Sequence, residues 1–134
     1  MSYANGQIPL TFLAPIAGGH LAKDAAGAWN QMNCEARKLG VELRPLGPVS
    51  SYRPFAVQQQ FWTLYQRGGN IAAKPGTSNH GWGRAVDLCD GVNEFGTPTY
   101  VWMTQNAARF GWYHPSWAEP TGSKPEAWHW EFGG

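Results

Sequence analysis

Glycine and proline interrupt this chain so often that only short regular elements can form: 17 glycines and 10 prolines fall within 134 residues. Both residues punctuate local structure, glycine by permitting left-handed backbone and proline by fixing φ and removing a donor. Between these breaks the apolar pattern is legible. Leu21, Ala25, Ala28, Trp29, Met32 and Ala36 recur at three- and four-residue steps, which predicts a helix over residues 21–39 closed by Gly40. Val41, Glu42, Leu43 and Arg44 alternate like a short strand that stops at Pro45. A second helix is predicted over 54–67, with Pro54 in its first turn, Ser50 or Ser51 as cap and Gly68-Gly69 at its end. Residues 73–79 read as loop, 84–88 as strand and 90–98 as a further loop. A third helix fits 99–110, with Met103, Ala107 and Phe110 on one face and Gly111 after it; the aromatic, alternating 128–132 reads as a final strand. Helices and strands follow no regular βαβ rhythm. The expected class is therefore α+β, with about three helices around a small, mainly antiparallel sheet.

The length suits one domain spanning 1–134, able to bury roughly two thirds of its unfolded surface without disulfides. A net charge of +1 provides no basic stripe, which argues against nucleic acid as a partner. No apolar run is long enough for a membrane span, and Met1-Ser2-Tyr3-Ala4-Asn5-Gly6 lacks the cationic and apolar regions of a signal peptide. Cys34 and Cys89 are too few for a disulfide framework, and the sequence leaves open whether they pair.

Chemistry concentrates in two segments. In the first, Ser78-Asn79-His80-Gly81-Trp82-Gly83-Arg84-Ala85-Val86-Asp87, a histidine ends a loop and an aspartate lies in the following strand. The glycines between them allow a turn tight enough to bring both side chains together. In the second, Glu126-Ala127-Trp128-His129, residues three apart would face opposite sides of a regular strand, so a bend near Pro125 is needed to unite Glu126 with His129. Two imidazoles and a carboxylate form a ligand set that zinc accepts, with a fourth position left for water as in catalytic sites. A nearby non-ligand glutamate then suits a general base. A His–Asp pair also occurs as a plain buried hydrogen bond; it is the complementarity of the two segments that favours the metal.

These residues carry a family resemblance. Ser51-Tyr52-Arg53, the run from Pro75 to Leu88, and Glu126-Ala127-Trp128-His129-Trp130-Glu131-Phe132 together resemble the zinc DD-carboxypeptidases and L-alanyl-D-glutamate endopeptidases of the VanY and VanX type. The family pattern S-x-H-x-x-G-x-A-x-D followed by E-x-x-H is met by Ser78, His80, Gly83, Ala85 and Asp87, then by Glu126 and His129. The resemblance covers about residues 50–132; residues 1–49 carry no diagnostic motif.

The resemblance implies a DD-peptidase/Hedgehog-like zinc peptidase fold and one Zn²⁺ per chain held by His80, Asp87 and His129. It makes Glu126 the catalytic base and acid, and Arg53 the guanidinium that stabilises the substrate oxyanion. Ser78, Gln58 and Trp128 become candidate substrate-binding residues, Ser78 having a turn-stabilising hydroxyl as its alternative role. The implied partner is the bacterial peptidoglycan stem peptide, bound by a monomer with neither nucleic acid nor membrane involved. The motifs do not decide between internal cleavage and removal of a terminal D-alanine, and the 90–98 and 112–124 segments are expected to shape the groove that does.

Several readings accompany this one. Trp29 and Trp130 are expected in the core, while Trp82 and Trp128 fit core or groove equally. His114 is either an ordinary loop histidine or a groove-rim residue, and His20 matches no motif. Glu131, on the strand face of His129, is the next candidate base after Glu126. The start at Met1 and the end at Gly133-Gly134 suggest the peptidase domain of a phage or prophage endolysin, cut before a C-terminal linker and passing from host cytoplasm to wall. The alternatives are an exported bacterial carboxypeptidase lacking its leader, a zinc-stabilised wall-binding module without activity, and a carbohydrate-binding domain built on the tryptophans.

Overall fold

The computed structural model of the chain describes residues 3–89 and 94–134. Its first regular elements are two strands, β1 (Leu13–Ile16) and β2 (Gly19–Ala22), paired antiparallel with Leu13 opposite Ala22 and Ile16 opposite Gly19. The helix expected over 21–39 is α1 (Lys23–Arg37), and Leu21 belongs to β2 instead. Leu21 fits the helical spacing because hairpin and helix bury into the same core: it is fully buried beside Trp29, Met32 and Ala36 of α1. Gly40 closes the helix as expected. With φ at +78° it lets its own N–H reach the Arg37 carbonyl and the Val41 N–H reach that of Ala36.

Residues 41–44 do not form the expected strand; nearby pairing is limited to an isolated bridge between Pro45 and Leu88. The cause is Asn33 on α1. Its carboxamide donates to the Leu43 carbonyl at 3.1 Å and accepts from the Leu43 N–H at 3.0 Å, so a helix side chain satisfies groups that a neighbouring strand would otherwise use.

The second helix, α2 (Phe55–Gln66), begins after Pro54, and neither Ser50 nor Ser51 caps it. Those serines face the body of the protein: the Ser51 hydroxyl accepts from the His20 N–H, and the Ser50 carbonyl accepts from the Asp87 N–H. Gln58 is the one buried residue of α2, at 4% exposure. Strand β3 (Ala85–Asp87) follows the 73–79 loop. Of the loop expected over 90–98, residues 90–93 lie outside the described residues.

The helix expected over 99–110 divides into α3 (Pro98–Asn106), capped by the Thr97 hydroxyl on the Tyr100 N–H, and a 3-10 turn over Ala107–Phe110. Two strands complete the fold, the short β4 (Trp112–Tyr113), which the sequence did not announce, and β5 (His129–Phe132). They form an antiparallel three-stranded sheet in the order β3-β5-β4. With the three helices this is the expected α+β architecture. The core lies between α1 and this sheet, where Trp29 meets Trp112 edge-on at 5.5 Å and Trp130 is buried as expected. Cys34 and Cys89 are free thiols. No helix among the described residues is long and apolar enough to cross a membrane.

Candidate active site and metal centre

The turn that carries His80 is built from both sides. The Ser78 hydroxyl accepts from the His80 N–H at 3.2 Å and caps the 3-10 helix Asn79–Trp82. Gly83, at φ +70°, ends that helix in left-handed backbone and directs the chain into β3. Gly81 is required for a different reason: a Cβ there would collide with the Asn5 carboxamide. The N-terminal segment lies directly against this turn, with Asn5 Nδ2 donating to the Ser78 carbonyl at 2.7 Å and the Gly6 N–H to the Gly81 carbonyl at 2.9 Å.

Asp87 and His129 are paired across β3 and β5, and Asp87 Oδ1 lies 2.9 Å from His129 Nδ1 and 3.3 Å from His80 Nε2. The outer nitrogen of each ring is occupied. His80 Nδ1 lies 2.9 Å from the Ser51 carbonyl, which can only accept, so Nδ1 carries the hydrogen and Nε2 turns its lone pair inward. His129 Nε2 lies 2.8 Å from Glu131 Oε2, which fixes the outer nitrogen as donor and points Nδ1 at Asp87. One ligand atom from each of His80, Asp87 and His129 lies within 4.8 Å of the others.

The electrostatics favour a shared cation. Burial alone would raise the Asp87 carboxyl, but the charges and hydrogen bonds of His80 and His129 hold it far below the usual carboxylate range. Burial pushes His80 down, overriding the pull of Asp87. Burial also opposes charge on His129, yet its bonds to Asp87 and Glu131 outweigh this and push it up to about 9. A cation taken up by these residues would replace the proton that His129 holds towards Asp87, leaving both imidazoles as neutral donors. The donor set of two neutral nitrogens and one carboxylate is one that zinc takes.

Glu126 precedes β5, and the turn over 127–128 supplies the expected bend, the His129 N–H pointing back to the Glu126 carbonyl at 3.5 Å. Burial raises the Glu126 carboxyl, while His129 lowers it and Asp87 raises it further, so this carboxyl lies in the field of the ligand cluster. Arg53 is 8% exposed and locked: Nε donates to the Val49 carbonyl, Nη1 to Gln58 and Nη2 to Asp87 Oδ2 at 3.4 Å. The structure therefore brings His80, Asp87, His129 and Arg53 into contact, with the Glu126 carboxyl in their electrostatic field.

The three candidate substrate-binding residues are placed differently. Gln58 is buried beneath Arg53, with Oε1 on Arg53 and Nε2 on the Ala73 carbonyl at 2.8 Å, so both ends of its amide serve the protein. The Ser78 hydroxyl serves as the cap described above. Trp128 is half-buried, and Trp82 is 40% exposed, on the outside rather than in the core.

Sequence reasoning missed the residues that hold the candidate ligands. Ser51 acts through its main-chain carbonyl, which no side-chain motif reveals. Trp117 lies over His129 with ring centroids 5.0 Å apart, brought there by a loop whose path the sequence does not disclose. Glu131 was visible from its two-residue spacing to His129, but its carboxylate is committed to His129 and to the Tyr113 hydroxyl at 2.9 Å.

Residues 18–134 match the VanY family, described as D-alanyl-D-alanine carboxypeptidase. A D-alanyl-D-alanine carboxypeptidase of Enterococcus faecalis is 42% identical over 66 residues, 46% of this chain, and the match spans 25% of that relative's length. Among solved structures, the chain is similar to a variant of the vancomycin-resistance D,D-pentapeptidase VanY in complex with Zn(II). That likeness has 28% identity and a TM-score of 0.68, covering 95% of this chain and 83% of that one. It is also similar to the LD-carboxypeptidase LdcB, at 25% identity and a TM-score of 0.74, over 96% and 71% of the two chains. The matched span holds the converging His80, Asp87 and His129 together with Glu126, and the chain belongs to the VanY family.

Proposed function

We propose that this chain is a zinc-dependent peptidase acting on the stem peptides of bacterial peptidoglycan. The observation that carries the reading is the convergence of His80 Nε2, Asp87 Oδ1 and His129 Nδ1, with the Glu126 carboxyl in their field. The relatives' names, D-alanyl-D-alanine carboxypeptidase and D,D-pentapeptidase, support the substrate class.

A zinc ion held by His80, Asp87 and His129 would supply Lewis acidity, polarising an amide carbonyl and easing deprotonation of a water. Glu126 takes that water's proton on its carboxylate, a task suited to a carboxyl raised by burial, and returns it to the departing amine nitrogen. Arg53 stabilises the negative charge that grows on the carbonyl oxygen. Three bonds to Val49, Gln58 and Asp87 hold its guanidinium, which leaves two of the five N–H groups of an arginine for substrate. The orientation is set in advance, so little reorganisation is needed as charge develops.

The experiment is mass spectrometry of purified peptidoglycan after digestion. Broken peptide bonds support the proposal, and an undigested wall that still binds the protein favours a wall-binding module. The products also identify the bond. Release of D-alanine alone assigns a carboxypeptidase, whereas reduced cross-linking or freed stem peptide assigns the endopeptidase of a phage or prophage lysin working from cytoplasm to wall. Size-exclusion measurement tests the monomer assumed in both cases.

A further inference from the structure

Between β4 and β5 the chain forms a loop that bonds to itself. The Ala118 N–H donates to the Pro115 carbonyl at 3.0 Å, Gly122 to Glu119 at 2.8 Å, Lys124 to Trp117 at 2.9 Å and Glu126 to Ala118 at 2.9 Å. This loop carries Trp117 over His129, and Glu126 stands at its end. Its neck closes where residue 114 meets residue 126: His114 Nε2 lies 2.7 Å from the Glu126 carbonyl. A carbonyl oxygen only accepts, so Nε2 carries a hydrogen and donates it.

The rest of the ring is enclosed by packing, with Nδ1 making no hydrogen bond. Nδ1 lies 3.2 Å from Glu119 Oε1, at ion-pair distance though without hydrogen-bond alignment, and Glu119 Oε2 accepts from the Tyr100 hydroxyl at 3.4 Å. Trp130 and Tyr100 flank the imidazole with centroids 4.8 and 5.7 Å away, and the side chain is 4% exposed. Without His114 the Glu126 carbonyl would keep only the long approach of the His129 N–H at 3.5 Å.

We propose that His114 is a positioning residue for Glu126: it pins the main chain of residue 126 so that the carboxylate faces the ligand cluster. The inference rests on the reading of Glu126 as the base and assigns it a support that no motif contains. With its N–H held by Ala118 and its C=O bonded at 2.7 Å by His114 and approached at 3.5 Å by the His129 N–H, the main chain of residue 126 is fixed on both sides, and His114 makes the shorter of the two carbonyl bonds. Reacting groups tolerate little displacement, and a shift of about 1 Å can cost roughly 10²-fold in rate.

The test compares His114→Phe, which keeps a flat ring against Trp130 and Tyr100 but has no donor, with His114→Gln, whose amide can donate to the same carbonyl. Zinc content, amide hydrogen exchange over residues 116–126, and kcat and KM on a stem peptide are measured on the full chain. In His114→Phe, exchange in the loop rises about tenfold or more and kcat falls about 10- to 100-fold, with KM and zinc content near the parent values. His114→Gln recovers most of both losses. Parent-like exchange in His114→Phe overturns the proposal, as does a loosened loop with kcat unchanged or a loss explained by departed zinc. A parent protein inactive on wall peptide refutes the proposed function instead, and loop exchange in the two variants then still decides whether His114 pins residue 126.

Discussion

Asp87 and His129 stand directly opposite each other across β3 and β5, with Oδ1 and Nδ1 2.9 Å apart. Two of the three candidate ligands are thus united by strand register alone, and a one-residue slip would send one of them to the other face of the sheet. His80 joins them through the turn ended by Gly83. Each of His80→Ala, Asp87→Ala and His129→Ala should therefore weaken zinc retention, read as metal content after dialysis. His20→Ala serves as the control, because the polar contacts of His20 in β2 run through its main-chain N–H and carbonyl, to Ser51 and Tyr52. Full occupancy in all three ligand variants would overturn the assignment.

Glu126 separates catalysis from metal binding. Its carboxyl is raised by burial and is not one of the three clustered side chains, so Glu126→Gln should keep the fold and the zinc while turnover falls about 10²- to 10⁴-fold, the usual range for a positioned acid or base. A zinc-loaded variant that cleaves wall peptide at the parent rate would place the base elsewhere.

Arg53 and Gln58 should behave as a unit. Arg53→Ala is expected to lose about 3–4 kcal/mol of transition-state stabilisation, as for removal of one oxyanion donor, and lysine to recover only part of it. Gln58 touches the guanidinium rather than open solvent, so Gln58→Leu should lower kcat through Arg53 and have little further effect once Arg53 is alanine. Rates of the two single variants and the double variant check this, and strictly additive losses would refute it.

The sequence disclosed the three candidate ligands that the fold brings together because their spacing reflects chemistry, and it disclosed α1, α3, β3 and β5 because their apolar periods face one core. It misled where a side chain replaced a backbone partner. Val41, Glu42, Leu43 and Arg44 alternate like a strand, yet Asn33 takes up the Leu43 backbone groups. Leu21 satisfied the helical spacing from a neighbouring strand, because spacing records which face is buried and not which element supplies it. Gln58 looked like a substrate contact on its helix, and only the tertiary fold shows it bonded at both ends beneath Arg53. Supports such as the Ser51 carbonyl and the Asn5 carboxamide act at long range through groups with no periodic signature.

The ligand cluster also predicts how metal-stripped protein responds to pH. His129 is raised from 6.5 to about 9, so the folded state holds its proton more tightly; that stabilisation is complete below about 6.5 and is lost as pH rises through about 9. His80 is lowered, so its contribution has the opposite sign, and stability falls as pH drops below about 6.5, where the unfolded chain takes up a proton that the folded one resists. Chelator-treated protein should be most stable near neutrality. A zinc ion held by His129 would have to displace this proton, so the gain in melting temperature on adding zinc should widen from about pH 6.5 towards pH 9. A constant gain across that range would contradict the assignment of the proton to His129.

Glu131 provides the last test, because it was also the reserve candidate for the base. At 8% exposure its carboxylate accepts from His129 Nε2 and from the Tyr113 hydroxyl; burial would raise it, but these bonds hold it below its ordinary value. A carboxylate so held is a poor proton acceptor for substrate and a good anchor for the imidazole. Glu131→Gln retains a carbonyl oxygen that can accept from Nε2, so it should keep most of both zinc and turnover. Glu131→Ala removes the anchor and should weaken zinc affinity about 10- to 100-fold, the usual cost of losing a partner behind a metal-bound histidine. Zinc titration of both variants reads the anchor and their rates at saturating zinc read the base. A Glu131→Gln variant that binds zinc normally but loses turnover as severely as Glu126→Gln would transfer the role of base to Glu131.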